Sequence, residues 1–222
     1  YWLMDYIIYA FKSPLIEAMS YCLIQESECL LIDAVYSMEL LEFLHKHKVN
    51  RITILLTHGH YDHILGIPLL REKYFVTVIS SKNGPEVLGN PKKNLTAVAN
   101  LISSFRKSAI KMNVRATSMH VDLMLQDGTF YEWNGIHFKI IYTPGHSVDS
   151  ACYLMENRYL FTGDTLLQNE NVTLRFPGGN QKDYIAYTKP LLETLARDLI
   201  VFPGHGERFS ISDSNIFREK VE

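Results

Sequence analysis

The chain has 222 residues, 47% of them apolar, and 22 lysines and arginines against 24 acidic residues give a net charge of −2. That length and composition can bury one sizeable core, so a disordered or fibrous protein is excluded, and the balanced charge leaves no basic footprint for nucleic acid. A single domain over residues 1–222 with no nucleic-acid partner is expected.

In chain order, "YIIYAF", "SYCLIQ" and "CLLIDA" read as short strands of a meander, with Glu26, Ser27 and Glu28 as the turn between the last two. "SMELLEFLHKHK" reads as an amphipathic helix with Met38, Leu41 and Leu44 on its apolar face and Ser37 as its cap. "RITILLT" is a buried strand, "HILGIPLLREKY" a short helix, "FVTVISS" a strand and "NGPEVLGNPKKN" a turn-rich connection. Within the ambiguous stretch 95–120, "AVANLISSFRKS" is helical in character. The strands "HVDLML", "GTFYEW", "HFKIIYT", "ACYLM" and "YLFTGD" follow, with Asp127-Gly128 and Asn134-Gly135 as turn signals. "DYIAYTKPLLETLARD" reads as a helix interrupted near Pro190, and "LIVF" as the last strand.

Cys22, Cys29 and Cys152 are odd in number, lack C-x-x-C spacing and sit in apolar runs, so they read as buried reduced thiols. The opening "YWLMDYIIYAFK" is too short to span a membrane, carries Asp5 and lacks a basic leader with a cleavage site. A cytoplasmic protein without a membrane partner is the expectation.

The chemistry concentrates in "THGHYDH", where His58, His60, Asp62 and His63 follow the apolar run "ITILL". Side chains two apart on a strand share a face, so His58 and His60 can aim at one point while Asp62 and His63 turn to a neighbouring one. Three other apolar runs end alike: "FKIIYTPGH" at His146, "RYLFTGD" at Asp164 and "LIVFPGH" at His205. Glycine and proline before each polar residue allow a sharp turn at the carboxyl end of a strand, where open α/β sheets place their sites. Seven candidate ligands exceed what one tetrahedral zinc accepts, which argues for two metal ions, most simply Zn²⁺, with Fe or Mn as alternatives.

As a set, these residues resemble the metallo-β-lactamase superfamily. Its HxHxDH motif matches His58, His60, Asp62 and His63, its later ligands match His146, Asp164 and His205, and its early aspartate, after "LLI", matches Asp33. The resemblance covers nearly the whole chain and implies a four-layer αββα sandwich of two mixed β-sheets with outer helices. It further implies that His58, His60 and His146 hold one ion, that Asp62, His63 and His205 hold the other, that Asp164 bridges them, and that Asp33 orients the ligand loop. "TPGHS", "FTGDTL", "FPGG" and "VFPGHGE" look most like the small glyoxalase II-like hydrolases. Those enzymes would act on a small-molecule thioester, ester or lactone through a hydroxide held between the metals and oriented by Asp62. Full glyoxalase II enzymes carry a C-terminal domain that grips glutathione, whereas here only "RFSISDSNIFREKVE" follows the last ligand. Where relatives have GRTDxPGG this chain has "VTLRFPGG", with Thr173 at the arginine position and Arg175 at the aspartate position.

Arg175 is the candidate for an anionic substrate group. The competing reading is a mononuclear iron oxidoreductase like the persulfide dioxygenases of this fold, with His58, His146 and Asp164 as a two-histidine, one-carboxylate set. A nuclease shares the ligands but would require a basic surface, and a non-enzymatic metal-binding module is a minor reading. His45 and His47 at a polar helix end, and His120 and His137, read as solvated rather than ligating; Tyr61 and Tyr184 are candidates for substrate contact.

Overall fold

Alternating strands bury two faces, and each face needs its own cover. In the computed structural model, which describes residues 6–14, 17–105, 113–168 and 170–217, one sheet contains β1 (Tyr9–Lys12), β2 (Met19–Gln25), β3 (Glu28–Ile32), β4 (Arg51–Leu55), β5 (Phe75–Ser81) and β6 (Leu123–Leu125), adjacent in that order. β1 to β3 pair antiparallel and β3 to β6 pair parallel. The second sheet contains β7 (Phe130–Trp133), β8 (Ile136–Tyr142), β9 (Ala151–Met155), β10 (Tyr159–Gly163), β11 (Ile200–Pro203) and β12 (Phe209–Ser210), again neighbours in sequence order. Only β10 and β11 are parallel there.

The period of two divides each strand between two apolar layers. On β3, Leu30 and Ile32 face the second sheet with Tyr21, Phe138, Tyr153 and Phe161, while Cys29 and Leu31 face helices outside. On β10, Tyr159 and Phe161 point between the sheets and Leu160 packs outward with Val201 and Leu192. Three apolar layers separate four structural ones, the αββα sandwich expected from the resemblance. Tyr153 locks the sheets together, its hydroxyl donating to the Leu56 carbonyl at 2.8 Å.

The first outer layer is built on α1 (Met38–Lys46), whose N-terminus is capped by the Ser37 hydroxyl accepting from the Leu40 amide. Its buried face is Leu40, Leu41 and Leu44, whereas Met38 in the first turn is 54% exposed, so the face is shifted from the three-residue spacing read in the sequence. The stretch "HILGIPLLREKY" contains the end of one helix, α2 (Tyr61–Ile64), and the whole of a second, α3 (Ile67–Lys73), rather than a single helix. They break at Gly66, whose amide donates to the Ala34 carbonyl at 2.8 Å. The turn-rich connection contains a further short helix, α4 (Gly84–Leu88), started by Pro85, and α5 (Ala99–Phe105) falls within the helical stretch expected there. Residues 106–108 of that stretch lie outside the described residues. The interruption near Pro190 is a π-helical segment, Tyr184–Thr188, between α6 (Gln181–Asp183) and α7 (Lys189–Glu193). A wider turn there accommodates a proline that has no amide to donate. "LIVF" is not the last strand, since β12 pairs antiparallel beyond it. Cys22, Cys29 and Cys152 are buried and free. Among the described residues, no helix is long and apolar enough to cross a membrane.

Candidate metal centre

All four strand ends carrying the candidate ligands open at one rim of the sandwich. His58 follows β4, His146 follows β8, Asp164 follows β10 and His205 follows β11, while α2 supplies Asp62 and His63. Two glycines make this convergence possible. At Gly163 the backbone takes φ 50°, and a Cβ there would collide with Thr57; at Gly204 a Cβ would collide with Asp164 Oδ1 and come within 2.8 Å of His63 Cε1. The last loop is tied to the first sheet by a β-bridge between Ala18 and His205 and by the Tyr21 hydroxyl, which donates to the Pro203 carbonyl at 2.7 Å.

His58, His60 and His146 present one donor atom each within 4.8 Å of one another, as do Asp62, His63 and His205, and as do His58, His63 and Asp164. Asp164 faces both outer groups: its Oδ2 lies 3.5 Å from His146 Nε2, and its Oδ1 lies 3.4 Å from His63 Nε2 and 3.5 Å from His205 Nε2. Asp62 Oδ2 is 3.5 Å from His205 Nε2, and His60 Nδ1 is 2.9 Å from His146 Nε2.

Outer partners fix which ring nitrogen faces inward. Asp33, 2% exposed, receives the Thr57 amide on Oδ1 and both the Thr57 hydroxyl and His63 Nδ1 on Oδ2, at 2.7 to 2.9 Å. Because the Thr57 hydroxyl has used its proton on Asp33, it can only accept from His58 Nδ1, 3.1 Å away. His146 Nδ1 donates to the Thr173 carbonyl at 2.7 Å. In His58, His63 and His146 the outer contact is made by Nδ1, so Nε2 points into the cluster, the orientation a metal requires.

The electrostatics suit a cation. His58 Nε2 and His60 Nε2 are buried without a hydrogen-bond partner, and each such atom costs about 1–3 kcal/mol. A bound cation would remove that cost, so the residues fit a metal. Burial, reinforced by neighbouring histidines, holds His58 well below the ordinary imidazole range and His60 at about 3. For His63, burial opposes charge, but Asp33, Asp62 and Asp164 outweigh it and raise the pKa. Burial likewise opposes ionisation of Asp62, yet His63 and His205 bring it to about 2. Asp164 is held well below the carboxylate range against burial, chiefly by His205 and His63.

A cavity of about 240 Å³, lined by Asp164, Thr173, His205, Leu167, Glu170 and Asn171 among others, opens at the cluster. Arg175 is exposed and is not among the residues lining it. His45 is exposed, His47 Nδ1 lies 2.8 Å from the Phe43 carbonyl, and His120 and His137 lie beside surface carboxylates. Tyr61 is buried against Leu95 and Ala99 rather than presented to the cavity. Thr57 and the Thr173 carbonyl escaped the sequence reading. Thr57 stands within the quoted motif, but a backbone carbonyl has no sequence signal. So did Asp149, a carboxyl 1% exposed beneath the ligand loop, where a Cβ on Gly59 would come within 3.1 Å of its Oδ2.

The chain is similar to several known proteins. A probable metallo-hydrolase of Bacillus subtilis, YqgX, is 28% identical over 207 residues, covering 91% of this chain and 92% of its own. The hydroxyacylglutathione hydrolase GloC of Haemophilus influenzae is 27% identical over 78% of this chain and 76% of its own. The crystal structure of the B3 metallo-beta-lactamase BLEG-1 superposes with a TM-score of 0.75 at 24% identity, over 93% of this chain and 95% of that one. The family model of the metallo-beta-lactamase superfamily matches residues 17–205, and the chain belongs to that superfamily.

Proposed function

We propose that this metal-dependent enzyme is a dinuclear hydrolase that cleaves a thioester, ester or lactone of a small molecule. The observation carrying the reading is Asp164, whose two oxygens face two separate groups of histidines. His58, His60 and His146 would hold one divalent cation, Asp62, His63 and His205 a second, and Asp164 would reach both. When bound, such ions, most simply Zn²⁺, supply Lewis acidity and water acidified to a pKa of about 7.

The chain's own residues do the rest. Asp33 and the Thr173 carbonyl hold His63 and His146 in the ligating tautomer and orientation. Asp62 is ionised, its side chain is 12% exposed and its Oδ2 is 3.5 Å from His205 Nε2, which lines the cavity, so Oδ2 can orient a water, take up its proton and pass it to a leaving alkoxide. A thiolate leaves without that proton. The name of the GloC relative supports an acyl-thioester substrate, while exposed Arg175 and the threonine at position 173 supply no anchor for a glutathione carboxylate at the cavity.

Elemental analysis of the purified protein beside a panel of acyl thioesters, lactones, phosphodiesters and persulfides tests the reading. Two divalent cations per chain, with thioester or lactone turnover lost on chelation and restored by metal, is expected. One iron with oxygen uptake on a persulfide overturns it.

A further inference from the structure

A second cavity, of about 320 Å³, lies beside the one at the metal centre; Leu167, Glu170 and Asn171 line both. It runs between the segment after Asp164, the helical stretch 181–189 and the 3₁₀ turn Asn215–Phe217. Its apolar wall comprises Leu166, Leu167, Val172, Leu174, Ile185 and Ile216. Ile185, on the π-helical turn, is 56% exposed and offers its apolar side chain to the cavity. Polar groups at the same cavity are mostly neutral: amides of Asn171, Gln181 and Asn215, and the Tyr184 hydroxyl, which donates to the Thr165 carbonyl at 3.2 Å. The cation at its edge, Lys189, lies 4.0 Å from Glu193, and Glu170 adds negative charge. Such a surface recognises a chain without charge, and its volume holds on the order of ten water-sized groups.

We propose that this cavity is the subsite for an uncharged aliphatic acyl chain of medium length, whose carbonyl end lies at the metal centre. The assignment rests on the hydrolase reading above and names its substrate class. Each methylene fully buried against the apolar wall is worth roughly fourfold in affinity, so chain length is the readout.

The test titrates the metal-loaded protein calorimetrically with acetate, butyrate and octanoate, and compares kcat/KM for acetyl and octanoyl thioesters. Octanoate should bind at least about tenfold more tightly than acetate, and the octanoyl thioester should be preferred in the same direction. Ile185→Gln should cut both ratios to about threefold or less, with an unshifted thermal melt confirming the fold. Equal affinity for acetate and octanoate, or a full ratio retained by Ile185→Gln, overturns the subsite. Chain-length-dependent binding without turnover of any thioester, ester or lactone upholds the subsite and rejects the hydrolase reading instead, so the two failures are distinct.

Discussion

Asp33 takes a left-handed backbone conformation, φ 59°, that a non-glycine residue adopts at a cost of about 1–3 kcal/mol. Its carboxylate repays that strain with three hydrogen bonds that join the end of β3 to Thr57 and His63. Asp33→Asn keeps the shape but presents an amide donor where Thr57 and His63 both donate. Metal affinity, read by competition with a chromogenic chelator, should drop about 10–100-fold; an unchanged affinity would show that Asp33 only closes a turn. Asp164→Ala removes the group facing both histidine clusters, and metal content and activity should fall together. Retention of full metal stoichiometry would contradict the bridging assignment.

At the scale of elements, one device is used repeatedly: a buried strand, a tight turn, then a polar side chain at the rim. Gly204 shows how little room the device leaves, since any Cβ meets Asp164 and His63. Gly204→Ala should lower the unfolding free energy by about 1–3 kcal/mol through overpacking and weaken metal binding in the same protein, as denaturant melts and metal titration would report. A helix far from the rim gives the opposite pattern. Leu44 of α1 is fully buried in the outer apolar layer, so Leu44→Ala should cost about 2–5 kcal/mol with metal stoichiometry unaltered. If Leu44→Ala also emptied the centre, rim and outer layer would be coupled more tightly than their separate apolar clusters indicate.

For the whole molecule, the centre sits where two sheets and their outer layers meet, so its charge state bears on global stability. In metal-free protein, His58 and His60 have lowered pKa values, and the unfolded chain takes up their protons first as pH falls below about 6.5. Their contribution is present above that pH and is lost on acidification towards about 3. His63 and His205 have raised values, so their contribution is present below about 6.5 and is lost as pH rises through the folded pKa. The melting temperature of chelated protein should therefore peak near pH 6.5, and added Zn²⁺ should raise it most at neutral pH, where cations displace protons from the ligands. A melting temperature indifferent to both chelator and metal would detach the cluster from the fold.

The amino-acid sequence determined the alternation that sorts strand residues between apolar layers, the Ser37 cap, and which histidines and aspartates stand at the strand ends, because glycine, proline and histidine there are local signals. Local signals also misplace what depends on packing. Met38 obeys helical spacing yet faces solvent, and "HILGIPLLREKY" breaks where Gly66 meets the chain at Ala34. Only the tertiary structure decided that Asp33, 24 and 30 residues from its partners, fixes two imidazole orientations, and that the Thr173 carbonyl fixes a third. It also decided that a second cavity with an apolar wall shares Leu167, Glu170 and Asn171 with the one at the centre, and that Arg175 lines neither. Those outcomes depend on the distance between segments remote in sequence, which is set by how the two sheets stack and not by any residue's own preference.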